Sequence, residues 1–468
     1  MMKNSKSETR EGYLWIFIPL CAADFCLFFS NVICTYTLNE YGHAAFWDIE
    51  FPNRTVSNNT GVSLCDTNTS SQEYQDEQVV QKAVSRWNLY MSIALGVPLV
   101  LSSLLLTSLS DFMGRRPFLF LGMFGICIKQ LMMTLAIILK WNLYLFMPFT
   151  SIDGFCGGWA VQLAIAMSVV SDLTSAGKKR SFLIAVLSFV IGVGISLGTF
   201  VCGFIVVLLG YDYSMATACG MSALGFIIPC FIPETLSKSE RKQHNFSCMG
   251  NIKDIWKFYT EQDSNHLGST RWKYITSVFS FIFVIMGKIG AFAIETLYLL
   301  DSPFCFSPEK ISTFETVKLC VSEVVILVGI KVMQQCLTDE AIAFLGTISG
   351  VSGYVFFGIA SSPIYLYVGA VVGVMGMSVI PMIRATMSKM TSPHNQGAMF
   401  GSLAVVENIC NLSSSVLGSA IYSETVSFYK GTAYLVFAGF LFLAVVLLMF
   451  LVKDSIQKQC LKGYSPIS

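Results

Sequence analysis

The chain is short of charge. Asp, Glu, Lys and Arg make up 13% of its 468 residues, about half the share a soluble globular domain carries, which excludes an ordinary water-facing surface. Histidine is scarce too: His43, His244, His266 and His394 lie outside the apolar runs without metal-ligand spacing, so neither a zinc site nor any other cofactor is expected. No glycine-rich phosphate loop ends in Lys-Ser or Lys-Thr, which argues against an ATP-driven pump. No catalytic constellation marks an enzyme, and a net charge of +1 offers nucleic acid no basic surface.

Apolar sequence is what the chain has in quantity, 54% of it. Twelve windows are long enough for transmembrane helices, which need roughly 20 apolar residues: 13–36, 87–110, 117–139, 145–170, 182–208, 213–232, 274–298, 312–330, 341–360, 365–388, 397–420 and 432–452. Barrel strands would instead show about ten alternating residues. With both termini in the cytosol, Lys3, Lys6, Arg10, Arg115, Arg116, Lys178, Lys179, Arg180, the Lys/Arg of loop 233–273, Lys453, Lys458 and Lys462 share one side, and only about six basic residues fall on the other, the bias that positive-inside topology predicts. The first run is too long for a cleavable leader and reads as a signal anchor.

The expected organisation is all-α and membrane-embedded. A cytosolic segment 1–12 precedes a six-helix bundle, 13–232; the polar, basic linker 233–273 leads to a second six-helix bundle, 274–452, and a cytosolic tail, 453–468. Most of the fifteen cysteines lie in apolar runs as small packing residues. Cys65 and Cys305 instead fall in loops on the non-cytosolic side, where oxidation is permitted, and are expected to pair. Loop 37–86 also carries three glycosylation sequons, at Asn53, Asn58 and Asn68. Asn245 and Asn411 fall in the basic linker and in an apolar run, so neither is expected to be modified.

A weak repeat supports the two-half reading. SDFMGRR at 110–116 follows the second run, and SDLTSAGKKR at 171–180 follows the fourth; LTDEA after the eighth is the one degraded counterpart. SDFMGRRP resembles the signature of the major facilitator fold between its second and third helices, with Thr107 and Phe112 departing from it. Gly114 permits a tight reversal, Arg115 and Arg116 sit at headgroup level, and Asp111 can pair with a basic group or a helix terminus across the bundle. Asp111, Gly114, Arg115, Arg116 and Asp172 are therefore gating candidates; the bland alternative is a basic cytosolic turn.

Longer stretches resemble the solute carrier family that contains the proton-coupled folate transporter: RWNLYMS at 86–92, LYLLDSPFCF ending at Phe306, KVMQQCLTDE at 331–340, and VIPMIRATMSK followed by NQGAMFGS at 379–402. The resemblance implies a twelve-helix transporter with cytosolic ends, a glycosylated first loop and a disulfide at the positions of Cys65 and Cys305. It also implies organic-anion substrates, as members carry reduced folates and others are associated with muropeptides and cyclic dinucleotides. Arg384 matches the family's arginine for substrate and proton coupling, whereas Ser188, Phe155 and Lys288 stand where the folate member has a glutamate, an aspartate and a histidine.

Charges inside a span cost a few kcal/mol each, so they are paired, cavity-facing or functional. Candidates for substrate binding or coupling are Arg384, Lys288, Glu407, Asp24, Glu295, Lys318 and Glu323; Lys129 and Asp153 read as structural. Arg384 could instead snorkel, Lys288 and Glu407 could be structural partners, and the Gly194/Gly198 pair on the fifth run reads as close packing. The tail residues Tyr464 and Ile467 resemble a tyrosine sorting signal for a clathrin adaptor, which leaves plasma membrane and endolysosome open; Cys460 is a palmitoylation candidate.

The expected function is secondary transport of small organic anions toward the cytosol by alternating access, coupled to protons, with the lipid bilayer and no nucleic acid as partner. The alternatives are a non-transporting receptor or scaffold and an uncoupled facilitative carrier.

Overall fold

The computed structural model describes residues 13–52, 72–237, 241, 270–301, 303–392, 395–426 and 428–463. Cys65, the sequons at Asn53, Asn58 and Asn68, and Tyr464 and Ile467 lie outside the described residues. Fourteen α-helices are present among those described: α1 (Leu14–Glu50), α2 (Gln72–Met113), α3 (Arg116–Ile138), α4 (Phe146–Phe155), α5 (Gly158–Asp172), α6 (Lys178–Leu209), α7 (Tyr211–Ile227), α8 (Thr270–Leu300), α9 (Pro308–Met333), α10 (Asp339–Gly358), α11 (Pro363–Val372), α12 (Val379–Met390), α13 (Gln396–Thr425) and α14 (Thr432–Gly463).

The helices begin where local chemistry favours it. Pro117 stands in the first turn of α3, where its missing N–H costs nothing. Ser307 and Thr338 cap α9 and α10, their hydroxyls accepting from the amides of Lys310 and Ala341. Asp339 and Glu340 in the first turn of α10 add favourable charge at its positive end.

Among the described residues nine helical segments are long and apolar enough to cross a membrane, and ten if the bent pair Pro363–Val372 and Val374–Met390, with its 42° kink, is one span. The two other expected runs lie on α9, which carries Glu315, Lys318 and Glu323, and on α13, which carries Glu407, Asn408 and Asn411. Their polar content keeps them short of that standard.

Three features differ from the sequence expectation. Loop 37–86 is mostly helical, because α1 continues to Glu50 and α2 starts at Gln72. At 37 and 42 residues and 1.5 Å per residue these helices are about 55 and 63 Å long, well beyond the bilayer core. Their extensions hold together through Trp87, which is 1% exposed, meets Phe46 edge-on and donates from Nε1 to the Leu143 carbonyl at 3.1 Å. The fourth run is broken between α4 and α5, where Gly157 (φ 94°) and Gly158 (φ 42°) adopt left-handed backbone that a side chain would strain. The tenth run is likewise broken, by a 3₁₀ turn at Val374–Ser378 between α11 and α12. These two breaks occupy matching places in the two sequence halves, the arrangement that marks ligand sites in transporters.

Close packing lets α1 and α6 approach. A Cβ added at Gly194 or Gly198 would stand 3.1 Å and 2.8 Å from the backbone oxygens of Phe25 and Phe29, so the two glycines act as the expected small-residue seam. Across the halves, α2 packs on α13 and α6 on α9. One apolar cluster draws on both halves, through residues such as Val161, Met167, Ile285 and Met382. Three others stay within one half each. The end of the bundle from which the connection 238–269 departs is called the linker face below, and the end bearing the extensions of α1 and α2 the loop face.

Candidate functional site

The linker face is shut by two junctions between the halves. In the first, the Asp111 carboxylate accepts from the amides of Gly397 and Ala398, each at 3.0 Å, in the first turn of α13. It also accepts from Arg115 Nη1 at 2.6 Å. Arg115 Nε donates to Asp172 at 3.1 Å, so one guanidinium ties the ends of α2 and α5. Asp111 and Arg115 are 0% and 1% exposed. A carboxylate satisfies otherwise unpaired amides at a positive helix end, which makes this a strong interhelical cap. Gly114 (φ 108°) makes the reversal, and a Cβ there would run into the Glu234 side chain. Glu234 in turn accepts from the amides of Arg115 at 2.8 Å and Arg116 at 3.3 Å, capping α3. Arg116 itself donates to the Cys230 carbonyl at 3.0 Å.

The second junction is built on LTDEA, where the sequence repeat is degraded but its aspartate is kept. Asp339, from that stretch, accepts from Ser181 Oγ at the start of α6 and pairs with Lys389 of α12. It thus joins the second half to the first as Asp111 joins the first to the second. Around it, Ser171 and Ser388 hydroxyls meet at 2.7 Å, and Arg180 donates to the carbonyls of Ser388 at 2.9 Å and Ser171 at 3.0 Å. Glu234, Asp339, Ser181, Arg180 and Ser388 were not among the gating candidates. The Ser-Asp repeat pointed only to residues following the second and fourth runs, Arg180 among them, whereas Glu234 and Ser388 lie 119 and 217 positions from their partners Arg115 and Ser171.

Behind these junctions lies the contact region between the halves. Arg384 of α12 and Glu407 of α13 form an ion pair and line a cavity of about 10 Å³, closed down to the size of one water, with Ala160, Leu163, Ala164 and Met167 of α5 and Phe400, Leu403 and Ala404 of α13. The Arg384 guanidinium lies 5.6 Å from the Phe281 ring centre, a favourable cation–π placement. The pocket therefore draws on both halves and adjoins both broken runs. Lys288 of α8 has its Nζ 3.3 Å from Met377 Sδ, in the break between α11 and α12. The Glu323 carboxylate of α9 fills the space that a side chain at Gly192 of α6 would need, so it too sits at the boundary between halves.

The other candidates stand apart. Glu295 pairs with Lys318 inside the second half, rather than with Lys288 two turns away on its own helix. Asp24 is 0% exposed and accepts from Gln162 Nε2 at 3.3 Å, within the first half. Lys129 pairs with Asp153 at 2.5 Å and donates to Asn31 at 3.1 Å, the structural arrangement expected of those two. Ser188 bonds the carbonyl of Ile184 on its own helix, and Phe155 is exposed. Cys305 carries no free thiol. Among the described residues no group of His, Cys, Asp and Glu has metal-site geometry.

Comparison with known proteins bears on this arrangement. The profile of the Major Facilitator Superfamily matches residues 66–304. The lysosomal proton-coupled steroid conjugate and bile acid symporter SLC46A3 of Homo sapiens is 26% identical over 424 residues, spanning 90% of this chain and 92% of its own. The proton-coupled folate transporter of Rattus norvegicus is 27% identical over 375 residues, 79% of each chain. The solved structure of the human organic anion transporter MFSD10 (TETRAN) superposes with a TM-score of 0.69 at 14% identity, over 94% of this chain and 100% of its own. The proton:xylose symporter XylE superposes with a TM-score of 0.63 at 14% identity, over 94% and 96%. These relatives are transporters, not enzymes.

Proposed function

Because the chain belongs to the Major Facilitator Superfamily, we propose that it is a secondary transporter that carries organic anions by alternating access, in symport with protons. The observation that carries this reading is the Arg384–Glu407 pair in a pocket shared by α5 and by α12 and α13. An anionic group entering there competes with Glu407 for the guanidinium, and the carboxylate it displaces can take a proton. Lys288, whose Nζ is placed against a thioether rather than a carboxylate, supplies a second cation to the same cargo. The rest of the wall is Ala, Leu, Met and Phe, so once the halves part and the cavity widens it offers an apolar surface to an anion with a broad apolar body, such as a conjugated steroid or bile acid. A polar folate suits that wall less well.

The junctions at Asp111 and Asp339 hold the linker face closed, and rocking of two six-span bundles, 13–232 and 274–452 about linker 233–273, breaks them and opens that face to the cytosol. The reading includes twelve spans with α9 and α13 among them, cytosolic termini, inward transport, a glycosylated loop face with a Cys65–Cys305 bridge, and residence in the plasma or endolysosomal membrane, with the tail at Tyr464 and Ile467 as an adaptor contact. The positive-inside bias and the proton-coupled relatives support it.

Thermal unfolding of the purified chain with taurocholate, a steroid sulfate and a reduced folate tests the site. A stabilising shift by one of these anions that disappears in Arg384→Gln supports the pocket. An equal shift in both proteins places the anion elsewhere, and no shift with any of the three favours a receptor or scaffold.

A further inference from the structure

The second half holds more acid than the central pocket uses. Along α8 and α9 the charged residues form two tiers. Lys288 and Glu323 make one; Glu295, Glu315 and Lys318 make the other, and Lys288→Glu295 and Glu323→Glu315 are steps of seven and eight residues toward the loop face, about 10–12 Å at 1.5 Å each. The upper tier contains two carboxylates and one ammonium. Lys318 Nζ is bonded to Glu295 and lies 5.4 Å from the Phe314 ring centre, whereas Glu315 has the Thr296 hydroxyl at 3.5 Å.

The titratable groups facing Glu315 are Glu295 on α8, Lys318 on its own helix, Tyr36 on α1 across the gap between halves, and Tyr434 on α14. Tyr354 of α10 stands beside Glu295. Tyr434 is 1% exposed and its hydroxyl has no hydrogen-bond partner, a costly condition for a buried polar group. Two carboxylates sharing one ammonium leave this tier one positive charge short of neutrality. One proton brings the trio to zero charge without displacing Lys318.

We propose that Glu315 and Glu295, sharing Lys318, form the uptake site for the coupling proton, reached from the loop face and separate from the anion pocket at Arg384. The assignment rests on the proton-coupled reading above. The proton passes from water at the loop face to a Glu315 carboxylate oxygen, and the Thr296 hydroxyl, which donates to that carboxylate, steadies the unloaded state. Glu323, two turns further along α9, is the next carboxyl toward the linker face.

Two measurements on the full chain decide the matter. In detergent, a pH jump from about 7.5 to 5 is expected to load one proton fewer on Glu315→Gln than on wild type, and equal uptake overturns the assignment without any need for a substrate. In proteoliposomes with taurocholate, one pH unit supports up to about tenfold accumulation per coupled proton. Glu315→Gln is expected to lose that accumulation and keep counterflow at equal pH, while Glu315→Asp retains both. Loss of counterflow together with accumulation in a folded Glu315→Gln assigns the residue to structure or cargo binding and overturns the proposal, as does accumulation driven by a sodium gradient at equal pH. If wild type itself ignores the pH gradient, the symport reading fails and this assignment with it; if wild type is coupled and Glu315→Gln is equally so, only the assignment fails.

Discussion

Replacing Asp111 tests the gate directly. Its carboxylate makes three bonds, but the one to Arg115 lies within the first half and survives a rocking motion. The two from the amides of Gly397 and Ala398 cross to the second half and exist only while the linker face is closed. A hydrogen bond to a charged group contributes about 1.5–3 kcal/mol net, so two of them favour closure by about 3 kcal/mol at the low end. At 1.4 kcal/mol per decade, Asp111→Ala should move the open-to-closed ratio by about two decades. Asp111→Asn keeps a neutral acceptor and should move it by about one. Spin labels at Met113 and Ser392, both exposed beside this junction, report the change by pulsed dipolar spectroscopy. The wild type should show mainly the short distance, with a longer population rising in Asn and dominating in Ala. Identical distance distributions in all three proteins, each still folded, would refute the idea that Asp111 holds the face shut.

Other consequences concern stability. Gly198→Ala should lower unfolding temperature in detergent by the equivalent of about 1–3 kcal/mol, typical of overpacking, because the new methyl meets the Phe29 carbonyl. Gly203→Ala, with nothing within 4 Å, should be near neutral. Lys129→Met strands the buried Asp153 carboxylate and should cost about 3–5 kcal/mol, with most of the loss recovered in Lys129→Met/Asp153→Leu. A double variant no better than the single one would give the pair a role beyond its own neutralisation.

Much of the fold could be read from the order of residues, since long apolar runs need no partner to declare themselves. SDFMGRR drew attention to the junction at Asp111, because a turn glycine flanked by an aspartate and two arginines has few uses inside an apolar sequence. Pairing was harder to foresee. Lys288 and Glu295 share a helix and invite each other, yet Glu295 takes Lys318 from α9 instead, a choice made by packing between helices rather than by spacing along one. Asp339 seemed an orphan of the repeat because its hydroxyl partner, Ser181, is 158 positions away. Neither the break at Gly157 nor the break at Val374–Ser378 was foreseen, since runs 145–170 and 365–388 both read as continuous apolar helix. The helical extensions of α1 and α2 were hidden by their polar composition, and their stability comes from Trp87 and Phe46 meeting across the pair.

The central claim is that an anion bound at the Arg384 pocket is carried together with a proton. Taurocholate uptake into proteoliposomes under an imposed pH gradient, compared between wild type and Arg384→Gln, tests it most directly. The account predicts accumulation above equilibrium in wild type that collapses when the gradient is dissipated, and no accumulation in the variant. Equal uptake by both proteins, or uptake indifferent to the gradient, would contradict it.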